Sequence, residues 1–273
     1  MLPRAGAALI HATAVVDRAY RAFGGVRSAL VASLASASVL EAYNERAYGR
    51  AGVYRPGAPN FRAQLFQWEA GAIERHFPPA PARVLIGGAG GGREPLALAA
   101  RGYEVVAFDP AAGLIDSLVA RSAAISSVTA LAGRYEDLPW LRAPENGARV
   151  NLQDVRPFDA AILGWASYSH LRTTESRRTA LERMAAVTSG PILLSFYLCA
   201  PPPAPTGMRA WLARAHLWSP TDRFTPAVGF YHLSTRDELL GEVAAAGLEP
   251  IEFSADDLDG RWPYCVARRR AGR

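Results

Sequence analysis

The sequence predicts an α/β fold: a doubly wound, mainly parallel sheet completed by one antiparallel strand. Three observations carry this. Between residues 83 and 198, short apolar runs alternate with helical patterns, as successive strand–helix–strand units require. Each run is almost unbroken, which marks a sheet covered on both faces. The chain then ends in two strands, 249–253 and 264–268, joined too closely for a crossover, so they pair antiparallel.

Taken in order, residues 5–48 read as two or three Ala-rich helices, with Gly24-Gly25 as the break between the first two. From Tyr43 to Phe66, aromatic residues alternate with Arg, Gly and Pro, a loop texture leading into a helix over 61–76 that Phe77-Pro78-Pro79 stops. Residues 1–76 are thus expected to form an N-terminal helical lid, and 77–270 the main domain. Within that domain, strands are predicted at 83–87, 104–109, 128–132, 158–163 and 191–198, with helices at 93–101, 112–122 and 174–187. Residues 200–230 form a Pro- and Trp-rich insertion with one short helix near 208–216. Ser234 or Thr235 caps the last helix, with Asp237 and Glu238 in its first turn, and Gly247 ends it.

The composition narrows the chemistry. All 30 basic residues are Arg, so neither a P-loop phosphate site nor a Schiff base, both of which need Lys, is available. Of the net charge of +5, much sits in Arg268, Arg269, Arg270 and Arg273, which read as a solvated tail; no nucleic-acid partner is expected. Cys199 and Cys265 have no partner at metal or redox spacing, so no metal is expected and the cytoplasm follows by default. The apolar opening run is broken by His11 and continues into Asp17 and Arg18, an amphipathic helix rather than a signal peptide. No apolar stretch is long enough to cross a bilayer, and no membrane partner is expected.

The sharpest motif is RVLIGGAGGGRE, 83–94: a strand, five glycines, then a helix. Glycines allow tight turning and let a ligand lie against backbone N–H groups at the helix start. The dinucleotide spacing G-x-G-x-x-G fits in no register, whereas G-x-G-x-G fits at Gly88, Gly90 and Gly92. Asp109 ends the second strand, where a carboxylate accepts both ribose hydroxyl protons; its alternative role is to cap the following helix. A ribose-bearing ligand without pyrophosphate is implied.

With these motifs in place, the stretch from Arg83 to Arg268 resembles the Rossmann-type, class I S-adenosylmethionine-dependent methyltransferases. VLIGGAGGG is similar to the family's glycine motif, VVAFDP to its ribose motif, and AGRYEDLP to the segment after its third strand. FDAAILGWASYSHL resembles the fourth strand and its loop, and FYHLSTRDELLGEVAAAGLEPIEF the final helix and sixth strand. The resemblance implies a seven-stranded sheet of order 3-2-1-4-5-7-6 with strand 7 antiparallel, and S-adenosylmethionine as cofactor. By the same resemblance, Gly88, Ala89, Gly90 and Gly92 approach the cofactor by backbone, and Asp109 and Pro110 meet the ribose. Arg134, Tyr135 and Glu136 fall in the adenine segment, with Tyr135 flanking the base and Glu136 or Asp137 as its N6 acceptor; Trp165 reads either as a cofactor-pocket residue or as core. Two positions depart from the family pattern: Ile86 replaces an acidic residue before the glycines, and Gly133-Arg134-Tyr135 replaces Gly-Asp-Ala.

The implied reaction is methyl transfer to an oxygen or nitrogen of a small organic molecule, such as a specialised metabolite. Two alternatives stand beside it: a cofactor-binding relative without turnover, motivated by Ile86 and Arg134, and methylation of RNA or protein. Catalytic candidates are His170 and Tyr168 in the loop after the fourth strand, His170 having helix-start packing near 173–177 as its other reading. Tyr48 and Tyr54, from the lid, and Tyr231 and His232, after the insertion, are candidates to face the acceptor. The sequence leaves the oligomeric state open.

Overall fold

The computed structural model describes residues 24, 27–28, 30–50, 58, 61–154, 156–215, 219–256 and 262–270. Helices α1 (Ala37–Arg50) and α2 (Gln67–His76) precede the sheet. The first half of the sheet interleaves β1 (Arg83–Gly87), α3 (Arg93–Ala99), β2 (Glu104–Asp109), α4 (Ala112–Ser122) and β3 (Val128–Ala132). Short strands β4 (Trp140–Arg142) and β5 (Arg149–Asn151) follow, then β6 (Ala160–Leu163), α5 (Thr174–Val187), β7 (Ile192–Ser195) and β8 (Tyr197–Leu198). The chain closes with α6 (Gly207–Arg214), β9 (Asp222–Thr225), β10 (Gly229–Ser234), α7 (Arg236–Ala245), β11 (Leu248–Ser254) and β12 (Tyr264–Arg269).

The main sheet runs β11-β12-β7-β6-β1-β2-β3-β4-β5. Pairing is parallel from β7 through β6, β1 and β2 to β3, and β12 runs antiparallel to both β7 and β11. The expected seven strands are therefore nine. The extra pair is an antiparallel hairpin of three-residue strands, attached to β3 through Ala132 and Arg142. Strands that short carry no apolar run for a periodicity reading to find.

The predicted fifth strand, 191–198, is in fact two. β7 stays in the main sheet, and β8 joins β10 and β9 in a second, three-stranded sheet. The insertion thus supplies a strand, β9, where only a short helix is expected. Every residue of β9 is half-buried, so it lacks the apolar contrast that marks a strand.

β1 shows why the main sheet forms. All five of its residues are buried, and alternate side chains enter opposite cores. Leu85 packs with Phe108, Leu163 and Met184 on one face, and Val84 and Ile86 with Leu98, Val105 and Ile162 on the other. Each such side chain contributes about 1.5–3 kcal/mol by leaving water. At the C-terminal end, Thr235 caps α7 by accepting from the Glu238 N–H, and Gly247 takes φ +74° to end it, as expected. No helix among the described residues is long and apolar enough to cross a membrane.

Candidate functional site

A cavity of about 930 Å³, its open mouth included, lies at the carboxyl ends of β1, β2 and β6. The helices after β1 and β6 lead to opposite sides of the sheet there, the switch point at which open α/β sheets bind ligands. The glycine loop forms its floor. Gly88, Gly90 and Gly92 adopt φ values of 66°, 55° and 92°, in the left-handed region that side chains avoid. A Cβ on Gly88 would also lie 2.5 Å from the Ser167 Cβ, so the loop after β6 closes directly onto the glycines.

Asp109 is held in place by that loop. Its Oδ2 accepts the Gly90 N–H at 2.9 Å and its Oδ1 the Ala111 N–H at 2.8 Å. Each oxygen keeps a further lone pair for a ligand hydroxyl. Burial pushes its pKa up to about 6, against the pull of the two backbone N–H groups, and the charges of Glu45 and Glu94 add to the rise. Helix capping and ligand binding are thus compatible roles.

Of the expected cofactor residues, Gly88, Gly90, Asp109, Pro110, Tyr135 and Trp165 line the cavity, together with Arg134 and Glu136. Two do not. Ala89 is buried beneath the loop, its N–H donated to the Phe108 carbonyl at 3.1 Å. Gly92 backs onto α4, where a Cβ would lie 2.5 Å from Leu118 Cδ1. Tyr135 hydrogen-bonds Ser167 through its hydroxyl at 2.7 Å, and burial drives its phenol well above the ordinary value, so it stays neutral.

His170 also lines the cavity. Its Nδ1 lies 2.7 Å from the Phe230 carbonyl, which can only accept, so Nδ1 carries the proton. Nε2 is then the acceptor of a hydrogen bond donated by the Tyr48 hydroxyl, at 2.5 Å. Burial lowers the His170 pKa to about 4, leaving the ring neutral across the physiological range. Asn44 fixes this arrangement by gripping Phe230 from both sides, donating to its carbonyl at 3.0 Å and accepting its N–H at 2.8 Å.

The other candidates are placed elsewhere. Tyr168, expected to be catalytic, is fully buried, and its hydroxyl donates to Glu242 in a core network with Arg177. His232, expected to face the acceptor, is buried between Asp222 at 2.7 Å and Glu238 at 3.0 Å, outside the cavity lining. Tyr231 packs its ring on Tyr197 at 4.8 Å and is likewise not a lining residue. Tyr54 lies outside the described residues, as do His11, His216 and Trp218.

Glu41, Asn44 and Glu45 line the cavity without having been singled out by sequence. A signal was present: with Tyr48 they occupy i, i+3, i+4 and i+7, one face of α1. Glu41 and Glu45 both bind Arg134, at 2.6 Å for Glu41, tying that face across the cavity rim.

No protein-family model matches this sequence, and no curated protein matches it. Solved structures match its fold. The CcbJ methyltransferase from Streptomyces caelestis aligns with a TM-score of 0.59 at 17% identity, over 84% of this chain and 100% of that one. The Burkholderia thailandensis 1,6-didemethyltoxoflavin-N1-methyltransferase, solved with 1,6-didemethyltoxoflavin and S-adenosylhomocysteine bound, gives 0.58 at 18% identity, over 87% and 92%. Magnesium protoporphyrin IX methyltransferase from Synechocystis PCC 6803, solved with S-adenosylmethionine bound, gives 0.53 at 13%, over 85% and 95%. The chain has the fold of the class I S-adenosylmethionine-dependent methyltransferases.

Proposed function

We propose that this protein transfers a methyl group from S-adenosylmethionine to a hydroxyl of a small organic molecule. The observation that carries this is the Asp109 cradle: a buried carboxylate, both oxygens braced by backbone N–H groups, beside left-handed glycines at the switch point. Four carboxylates (Glu41, Glu45, Asp109 and Glu136) and one guanidinium (Arg134) line the cavity, which suits a ligand of net positive charge. S-adenosylmethionine supplies an electrophilic methyl on a sulfonium.

The chain's residues supply binding, alignment and a proton acceptor. Asp109 accepts the ribose hydroxyls, while Gly88 and Gly90 present backbone at close range. Tyr135 and Leu114 offer apolar surface for the base, and α1 closes the cavity above, serving as the lid. When the Tyr48 hydroxyl turns away, keeping its proton, the single lone pair of His170 Nε2 is free to take the proton of the acceptor hydroxyl. A pKa near 4 is enough for this, because a hydroxyl under methylation becomes an oxonium far more acidic than imidazolium. An amine delivered unprotonated would need no such group. The depth of His170 beneath α1 favours a small acceptor over a protein or nucleic-acid chain.

Titration calorimetry with S-adenosylmethionine and S-adenosylhomocysteine tests the reading. Micromolar binding of both is expected; no heat at high micromolar concentration would sink it. His170→Gln is expected to leave S-adenosylhomocysteine affinity within about threefold while slowing methylation of a hydroxyl acceptor by about 100-fold or more. A screen of phenol, alcohol and amine acceptors with methyl-labelled cofactor reads this out, and turnover confined to amines would exclude the hydroxyl assignment.

A further inference from the structure

The Tyr48 hydroxyl stands where the proposed reaction needs a substrate. It donates at 2.5 Å to His170 Nε2, the atom that takes the acceptor's proton. Its ring meets the imidazole edge-on, with centroids 5.0 Å apart and planes at 74°. Both residues line the cavity, so the protein holds one of its own phenols on its own base. Tyr48 lies in the last turn of α1, and helix ends open more readily than helix centres. Upstream, Asn44 grips Phe230, and Glu41 and Glu45 bind Arg134, so α1 stays docked when that turn yields.

The surroundings select what takes its place. The His170 ring responds to burial and to the Phe230 carbonyl, and no charged group among the described residues acts on it. Asn44, whose Nδ2 lies 3.4 Å from Nδ1, and Leu171, which also lines the cavity, are uncharged. This end of the cavity therefore suits a neutral acceptor and offers no partner to an ammonium or a carboxylate. A newcomer must also replace what Tyr48 gives up. An aliphatic hydroxyl restores the hydrogen bond to Nε2 but not the edge-to-face ring contact, which is worth about 2- to 10-fold in affinity. An aryl hydroxyl restores both.

Resting on the proposed methyl transfer to a hydroxyl, we infer that the acceptor is a phenol that displaces Tyr48 and seats its ring in the space the Tyr48 ring vacates. The phenol oxygen takes the methyl as the S–CH3 bond breaks, the bonding pair staying on sulfur, while the O–H proton passes to Nε2. Sulfonium and phenol become thioether and aryl methyl ether, and the imidazolium then releases its proton to solvent. Until an acceptor arrives, Tyr48 keeps the base occupied.

The probes are p-cresol, which is the Tyr48 side chain cut free, and its saturated counterpart 4-methylcyclohexanol. Calorimetry measures both on the S-adenosylhomocysteine complexes of wild type, Tyr48→Phe and Tyr48→Ala, and methyl-labelled cofactor then reports formation of 4-methylanisole. Tyr48→Phe removes the competing hydrogen bond and is expected to bind p-cresol about 3- to 10-fold tighter than wild type. Tyr48→Ala also vacates the space of the ring. It is expected to bind p-cresol tighter again, to favour it over 4-methylcyclohexanol by about 2- to 10-fold, and to methylate it. Unchanged or weaker p-cresol binding by Tyr48→Phe overturns the displacement, and this variant keeps the ring, so its result stands even where Tyr48→Ala unfolds α1. Equal binding of the two probes overturns the aryl assignment. Binding of p-cresol by Tyr48→Ala beside intact cofactor binding, with no 4-methylanisole formed, overturns the acceptor's place. Wild type that binds no S-adenosylhomocysteine, or that methylates amines only, would instead overturn the reading on which this rests.

Discussion

Asp109→Ala is expected to weaken S-adenosylhomocysteine binding by about 100-fold or more, because two hydrogen bonds to a charged, buried acceptor are lost together. The substitution does more than remove ligand contacts. It strands the Gly90 and Ala111 N–H groups in a buried site, at about 1–3 kcal/mol each, and so loosens the glycine loop. Asp109→Asn does not rescue it, since one amide face must then present N–H to a backbone donor. The pH dependence has a defined sign. The Asp109 pKa rises from 3.8 to about 6 on folding, so between these values the native chain holds a proton that the unfolded chain has released. Its contribution to folding stability therefore falls as pH rises through that window. Cofactor affinity moves the other way, rising toward pH 6 and above as the carboxylate ionises and can accept two hydroxyl protons. An acid limb near pH 6 in affinity, absent from the rate at saturating cofactor, would separate Asp109 from His170, which stays neutral down to about pH 4.

Arg177→Met is expected to destabilise the protein by about 3–5 kcal/mol, the cost of leaving a buried charge without its partner. Arg177 is fully buried on α5 and joins Glu242 of α7 through Nε at 3.0 Å and Nη2 at 2.7 Å, and Glu238 at 2.8 Å. Glu242 in turn accepts the Tyr168 hydroxyl, and Glu238 meets His232. One cation thus fixes α5, α7 and the loop that carries His170. Thermal melting should fall by roughly 6–20 °C for a chain of this size. Arg177→Met with Glu242→Met should recover part of the loss, since removing both charges leaves neither unpaired. A double variant no more stable than the single one would mean that packing, not charge, carries the effect.

The contrast between Tyr168 and His170 shows where sequence reasoning stops. They lie two residues apart in one short 3-10 turn, yet Tyr168 enters the core and His170 the cavity. The deciding partners, Glu242 and Tyr48, are 74 and 122 residues away. By contrast, β1, the glycine loop and Asp109 are legible because local pattern alone specifies them: an apolar run buried on both faces, glycines at left-handed positions, and a carboxylate at a strand end. The parallel strands from β1 to β7 were legible for the same reason. The three-residue strands β4 and β5 and the half-buried β9 were not, because their pairing is decided by neighbours rather than by their own residues. The role of Arg134 also depends on tertiary contacts, since Glu41 and Glu45 come from a helix placed across the cavity.

A structure determined with S-adenosylhomocysteine measures the central claim most directly. The account predicts both ribose hydroxyls within about 3 Å of Asp109 Oδ1 and Oδ2, with the sulfur on the His170 side of Gly88. Ribose hydroxyls bound to Glu45 or Glu136 instead, with Asp109 engaged only by Gly90 and Ala111, would contradict it.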